Sequence, residues 1–158
     1  MGLEKLILNI LLGICRPFVC LFPIKANKVT FISLTMDTLS GEFKKIVTEL
    51  EGSNLDLHYN LVKFEKTIAG KFRYLLNCFK QLYEVCTSKV IILNDNNYVI
   101  SKFKRKDVKV IQIWHACGAV KQFGNQIPRE YPIQNYDCLL YTSRYISPKD
   151  MPIVYSIT

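Results

Sequence analysis

Short β-branched and aromatic runs that take turns with amphipathic stretches constrain this chain more than any other feature. Val29-Thr30-Phe31-Ile32-Ser33-Leu34 reads as a strand. A helix is expected from Gly41 to Glu51, with Ser40 as N-cap and Phe43, Ile46, Val47 and Leu50 on one face. Gly52-Ser53-Asn54 ends it, and Leu55 to Val62 alternates as a second strand. A longer helix follows from Ile68 to Cys86, where Phe72, Leu75, Leu76, Phe79, Leu82 and Tyr83 recur at helical spacing. Lys89-Val90-Ile91-Ile92-Leu93 is the clearest buried strand, closed by the loop Asn94-Asp95-Asn96-Asn97. A connection over Tyr98 to Lys106, a strand from Val108 to Ile113 and a last strand from Asp137 to Thr142 complete the series. Such alternation demands a parallel sheet with right-handed crossovers, so the expected class is α/β: a Rossmann-like parallel sheet flanked by helices.

With 158 residues, 49% of them hydrophobic, the chain can bury a real core and is one domain's worth of sequence. Its formal charge of +8 favours a polyanionic partner, whether nucleic acid, an anionic membrane face or a phosphate-rich substrate. Nucleic acid is not expected, because the aromatic residues are not interleaved with Lys and Arg in any stacking motif. The six cysteines (Cys15, Cys20, Cys78, Cys86, Cys117 and Cys138) match neither a zinc spacing nor a secreted disulfide framework. They read as reduced, mostly buried small hydrophobes.

Leu6 to Ile24 is a nearly continuous apolar stretch, interrupted by Asn9, Arg16, Pro17 and Pro23. Its length approaches a bilayer span, but a charge near the middle with proline beside it argues against clean crossing. Residues 1–26 are therefore expected to form a membrane-associating segment. A helix would run to about Cys15, then a bent apolar piece would lie in the interface, with Arg16, Lys25 and Lys28 reaching anionic headgroups. The alternative is a helix packed on the domain as ordinary core. Residues 27–158 would be the Rossmann-like, acceptor-side domain.

The strand Val108–Ile113 runs into Trp114-His115-Ala116-Cys117-Gly118-Ala119-Val120-Lys121-Gln122-Phe123-Gly124. A strand thus delivers a histidine into a glycine-punctuated turn that opens onto a lysine-bearing helix. In open α/β sheets ligands bind just past the carboxyl ends of strands, and histidine is the side chain most easily poised to move a proton near neutral pH. His58, on an early strand with no partner motif, reads as structural. Asp95 and Asp137 stand at strand ends, where they would orient a substrate or merely cap helices. The cations Lys102, Lys104, Arg105 and Lys106 read as a solvated loop or as an attractor for a polyanion. No paired carboxylates, metal-ligand cluster or phosphate-cradling glycine loop is visible, and no cofactor or metal is expected.

The block from Val110 through Trp114-His115-Ala116-Cys117-Gly118-Ala119 to Lys121 and Phe123-Gly124 resembles the CDP-glycerol glycerophosphotransferase family of teichoic acid synthesis. Leu93–Tyr98, Ile100-Ser101-Lys102, Tyr136-Asp137 and Ser143 fit the same pattern, which is strong from about Val90 to Ser143 and compatible from Val29 to Leu50. The resemblance implies a two-domain transferase of GT-B type, peripheral on the cytoplasmic membrane face. Such an enzyme would move glycerol phosphate from CDP-glycerol to a lipid-linked polyol-phosphate acceptor. This length has room for the first half only, so the expected chain is truncated, its second domain and most of the CDP-glycerol site absent. Cys138-Leu139-Leu140-Tyr141-Thr142-Ser143 fits the family's strand-then-serine pattern, and it equally matches one reading frame of a common sequencing-library transposon end.

In that setting His115 is the candidate general base on the acceptor hydroxyl. Gly118 would let the backbone approach a phosphate, with the following helix aiming its free N–H groups at the anion. Lys121 either adds a cation there or is a solvated surface lysine. Trp114 either walls the acceptor site or packs as core. The competing function is a non-catalytic membrane-surface module that binds a phosphate-rich ligand or docks a separate catalytic half.

Overall fold

In the computed structural model of the chain, which describes residues 3–39, 41–114 and 134–141, five strands form one sheet in the order β2-β1-β3-β4-β5. They are β1 (Lys25–Ser33), β2 (Asp56–Leu61), β3 (Ser88–Leu93), β4 (Lys109–Trp114) and β5 (Cys138–Tyr141). Every neighbouring pair is parallel. The helices are α1 (Leu3–Val19), α2 (Gly41–Leu50), α3 (Ile68–Thr87) and α4 (Tyr98–Phe103). The expected α/β class with a parallel sheet between helices is what forms.

Parallel strands are buried on both faces, and the register shows which residues serve which layer. Phe31 and Val29 face α2, where Phe43 and Val47 cover them and the Phe31 and Phe43 rings meet edge to face at 5.3 Å. Ile32, Ile91, Leu93 and Val110 face the opposite layer of α1, α3 and α4, packing against Leu12, Cys78, Leu82, Val85 and Ile100. Gly52, at φ +88°, turns the chain out of α2 while Ser53 N–H donates to Leu50 O, a left-handed stop that suits a residue without Cβ.

Helix α3 starts where Thr67 Oγ1 accepts from Gly70 N–H at 3.0 Å. Gly70 rests on the Glu65 carbonyl, only 2.2 Å from where a Cβ would sit. Thr67→Ala removes one hydrogen-bond acceptor from the α3 amino terminus. It is expected to cost about 1 kcal/mol in a urea titration.

Two expectations shift. The predicted connection over Tyr98–Lys106 contains α4, capped by Asn97, whose side chain accepts from Ile100 N–H at 3.1 Å. Six residues are under two turns, too short for a periodic signal, and nearly all of them are buried. Helix α1 runs four residues past Cys15, to Val19, with Pro17 inside its last turn.

One face of α1 belongs to the core. Leu8 and Leu12 are buried, Tyr98 Oη donates to Asn9 Oδ1, and Arg16 Nε donates to Phe103 O. The other face leaves Ile7, Ile10, Ile14 and Phe18 in solvent. No helix among the described residues is long and apolar enough to cross a membrane.

Lys28 overturns its expected role. It is fully buried, with Nζ 2.7 Å from Glu84 Oε2 and 3.0 Å from Thr87 Oγ1, so it cannot reach a headgroup. Its sequence position near an apolar segment suggested exposure, but in β1 it alternates onto the α3 side of the sheet.

The described thiols are free. Burial pushes Cys78 up to about 11. Burial, then the neighbouring Cys20 thiol at 3.8 Å, pushes Cys86 up to about 12. Unfolded thiols ionise near 9.0, whereas these hold their protons well above that. Between those values the unfolded chain binds fewer protons, so stability is full below about pH 9 and falls as pH rises towards 11–12. Urea midpoints should drop between pH 8 and pH ~10.5, and Cys78→Ala with Cys86→Ala should flatten that slope.

Candidate functional site

The order β2-β1-β3-β4-β5 reverses direction between β1 and β3, and a crevice outside the carboxyl ends at such a switch point is where open α/β sheets bind ligands. The structure has a shallow depression there, lined by Ile32, Ser33, Leu34, Leu93, Asp95, Asn96 and Asn97. These residues come from the ends of β1 and β3 and the loops that leave them.

Hydrogen bonds make this edge rigid. Ser33 Oγ accepts from Thr35 N–H and Met36 N–H, turning the chain at the end of β1. Asn94 Nδ2 donates across to Thr35 Oγ1 at 3.2 Å. Asn97 N–H donates to Tyr136 Oη, which itself donates to Asn96 Oδ1 at 2.7 Å. Below them Asn97 Nδ2 donates to Gln81 Oε1, and Gln81 Nε2 donates to Asn60 Oδ1. Among the described residues, Asn60 Nδ2, Asn77 Nδ2, Asn94 Oδ1 and Gln112 Oε1 are buried without a hydrogen-bond partner. Buried carboxamides with unused capacity are costly in a plain core and cluster where polar ligands or water come close. Asp95 is exposed at this edge, and its Oδ1 accepts from Asn96 N–H.

Strand β4 lies beside β3, with Leu93 opposite Gln112, and ends at Trp114, whose backbone pairs with Tyr141. The carboxyl end of β4 therefore opens on the edge that carries the depression. His115 follows Trp114 directly in sequence. His115, Gly118 and Lys121, the predicted turn and its helix lie outside the described residues, as does the Trp114 side chain.

Asp137 and the cation run lie at the other end of the sheet. Asp137 precedes β5 beside the start of β4: its Oδ2 accepts from Val110 N–H and Lys104 Nζ, and its own N–H donates to Val110 O. It is a strand clamp at the amino edge. Arg105 Nη1 donates to the carbonyls of Cys20, Phe22 and Cys86, tying the turn after α1 to the end of α3. Two of the four cations are thus structural, and only Lys102 and Lys106 are exposed. His58 is a bridging residue, with Nε2 3.0 Å from Asp56 Oδ2 and Nδ1 3.8 Å from Glu84 Oε1. The amides Asn60, Gln81 and Gln112 escaped sequence reasoning, because a single buried amide inside an apolar run looks like a solvated position. The loop Asn94–Asn97 gave the one visible signal, four polar residues directly after a buried strand.

A shallow depression at the carboxyl edge of an open parallel α/β sheet, on the side where β4 ends, is the position at which this class of fold binds ligands. The chain belongs to the CDP-Glycerol:Poly(glycerophosphate) glycerophosphotransferase family, whose profile matches residues 14–151. It is 37% identical over 111 residues to the teichoic acid ribitol-phosphate primase of Bacillus spizizenii, an alignment covering 68% of this chain and 28% of that protein. It is 43% identical over 112 residues to the teichoic acid glycerol-phosphate primase of Bacillus subtilis, covering 62% of this chain and 28% of the relative. With the teichoic acid ribitol-phosphate polymerase of Staphylococcus aureus it shares 33% identity over 101 residues, 63% of this chain and 18% of the relative. The chain therefore spans under a third of the length of the curated relatives it matches.

Proposed function

We propose that this chain is the acceptor-side part of a polyol-phosphate transferase that moves glycerol phosphate from CDP-glycerol to a lipid-linked teichoic acid acceptor. Family membership supports the reaction class. The observation that carries the assignment of this part is that β4 ends at the carboxyl edge, beside the β1/β3 switch point, one residue before His115. An alcohol is a poor nucleophile at neutral pH, and an imidazole at that edge accepts its proton as the bond to phosphorus forms. The CMP portion leaves, and charge on the transferred phosphate is offset by fixed dipoles and cations. Gly118 and Lys121 serve that second role, and Trp114 bounds the acceptor.

The exposed apolar face of α1 supports peripheral attachment to the cytoplasmic face of an anionic membrane, where a lipid-linked acceptor resides. Ile7, Ile10, Ile14 and Phe18 form that face, and Arg16 and Lys25 flank it. Removing residues 1–26 would not test this, because Leu8 and Leu12 would leave the core with them.

The test is CMP release from CDP-glycerol in the presence of a lipid-linked acceptor, measured for this chain alone and joined to the remainder of such a transferase. Turnover is expected only for the joined protein. A joined protein that folds, binds CDP-glycerol and releases no CMP would sink the transferase reading in favour of a non-catalytic docking module.

A further inference from the structure

The segment that leaves β2 and enters α3 is unusual in presenting large apolar side chains and cations together at the surface. Phe64, Ile68, Phe72 and Leu76 are all exposed, and Ile68 is 90% exposed. Over residues 63–73 the exposed charges are Lys63, Lys66, Lys71 and Arg73 against the single carboxylate of Glu65. Core-facing positions of α3 are fully occupied by Cys78, Leu82, Val85 and Cys86, so the exposed stripe is a separate face of the same helix.

Backbone bonds fix where this face lies. Val62 N–H donates to Ser33 O, and Phe64 N–H donates to Leu34 O, both at 3.0 Å. Ser33 and Leu34 line the depression at the carboxyl edge. The Phe64 ring meets Tyr74 edge to face at 5.4 Å, which holds the loop against the first turns of α3. Helix α1 starts at the same edge: Asn9 meets Tyr98 at the head of α4, Arg16 meets Phe103 at its tail, and Cys20 meets Cys86 at the tail of α3. Helices α1 and α3 thus run in the same direction from the carboxyl edge, and each leaves an apolar face in solvent.

We propose that residues 63–76 are a second bilayer-binding element beside α1, which seats the carboxyl edge of the sheet, and with it the crevice, on an anionic lipid surface. The inference rests on the reading of α1 as a membrane contact and adds to it an orientation. Charge complementarity selects the occupant. A second copy would bring cation against cation across the interface, whereas acidic headgroups meet Lys63, Lys66 and Arg73 while Ile68 and Phe72 enter the acyl boundary. Seated so, the crevice needs no long reach to an acceptor whose lipid anchor stays in the membrane.

The experiment is co-sedimentation of the full chain with vesicles of phosphatidylglycerol and phosphatidylcholine, and with phosphatidylcholine alone. Circular dichroism and melting confirm that each variant folds. Ile68→Ser with Phe72→Ser is expected to weaken partitioning to the acidic vesicles by about tenfold or more. Lys66→Gln with Arg73→Gln should remove most of the preference for acidic over neutral vesicles. Phe72→Trp should show quenching by brominated acyl chains beyond the baseline of Trp114. Ile14→Ser with Phe18→Ser is the companion arm. If it abolishes binding while the α3 variants bind like the parent, the second element is refuted and the α1 reading stands. If neither pair matters, both fall. A parent that is dimeric in solution and becomes monomeric in Ile68→Ser with Phe72→Ser would assign the face to a second copy and overturn the proposal.

Discussion

Lys28→Met is expected to destabilise the chain by about 3–5 kcal/mol, the largest loss of any single substitution away from the crevice. The Lys28 side chain is 1% exposed and that of Glu84 8%, so neither charge has water to fall back on. Lys28 Nζ donates to Glu84 Oε2 and Thr87 Oγ1 and sits 4.9 Å from the Tyr83 ring centroid. Thr30 Oγ1 donates to the same Glu84 oxygen at 2.9 Å and contacts Ser88 Oγ at 2.7 Å. Methionine fits the aliphatic path of lysine but leaves the Glu84 carboxylate with one hydroxyl donor and His58, whose Nδ1 is 3.8 Å away. In a chain of this size each kcal/mol moves the melting point by about 2–4 °C, so a drop of about 6–20 °C is expected. Lys28→Met with Glu84→Leu should recover most of that loss, because a buried pair replaced whole by apolar groups is often close to neutral. A single Lys28→Met variant within about 1 kcal/mol of the parent would show that the carboxylate finds water or a proton instead.

That ion pair also shows which parts of this molecule the sequence could disclose. Strands built on Val29–Ile32, Val90–Leu93 and Val110–Ile113 are legible because β-branched runs bounded by turn residues have few other uses. Helix α3 is legible because its apolar positions recur over twenty residues. Lys28, Lys104 and Arg105 read as surface charge because their partners, Glu84, Asp137 and the Cys20, Phe22 and Cys86 carbonyls, belong to other elements. Tertiary pairing carries no local signature. The same holds for Asp137: its place at the amino edge follows from the register of β5 against β4, in which Cys138 pairs with Ile111. Sequence alone put it first in the last strand but did not bring it against Val110 and Lys104. The strand that leads to His115 was evident from its pattern. The amide network beneath the edge, through Asn60, Gln81 and Asn97, was not, since it joins three elements that only the folded sheet brings together.

His115→Asn, made in the chain joined to the remainder of the transferase, is expected to lower kcat for CMP release by about 10²–10⁴-fold, the range that a positioned general base contributes. Asparagine keeps a hydrogen-bonding group of similar reach but cannot take up a proton near neutral pH. Acceptor binding should therefore survive, and the loss should fall on kcat rather than on KM. The pH profile supplies the discriminating measurement. With histidine as base, kcat/KM should rise with pH along an acidic limb as the ring loses its proton, and His115→Asn should lack that rise. A histidine that only fills space would give a different pattern: a lowered melting point, a raised KM, and an unchanged acidic limb. Lys121→Met is the useful contrast, because a cation that offsets phosphate charge lowers the barrier without setting the proton's pKa, so its loss should scale the whole profile down and leave its shape intact. Activity within tenfold of the parent in His115→Asn, with the acidic limb retained, would transfer the proton to another group. Asp95 would be the first to examine, since it is exposed on the carboxyl edge where β4 ends and, among the described residues, accepts a local hydrogen bond from Asn96 N–H.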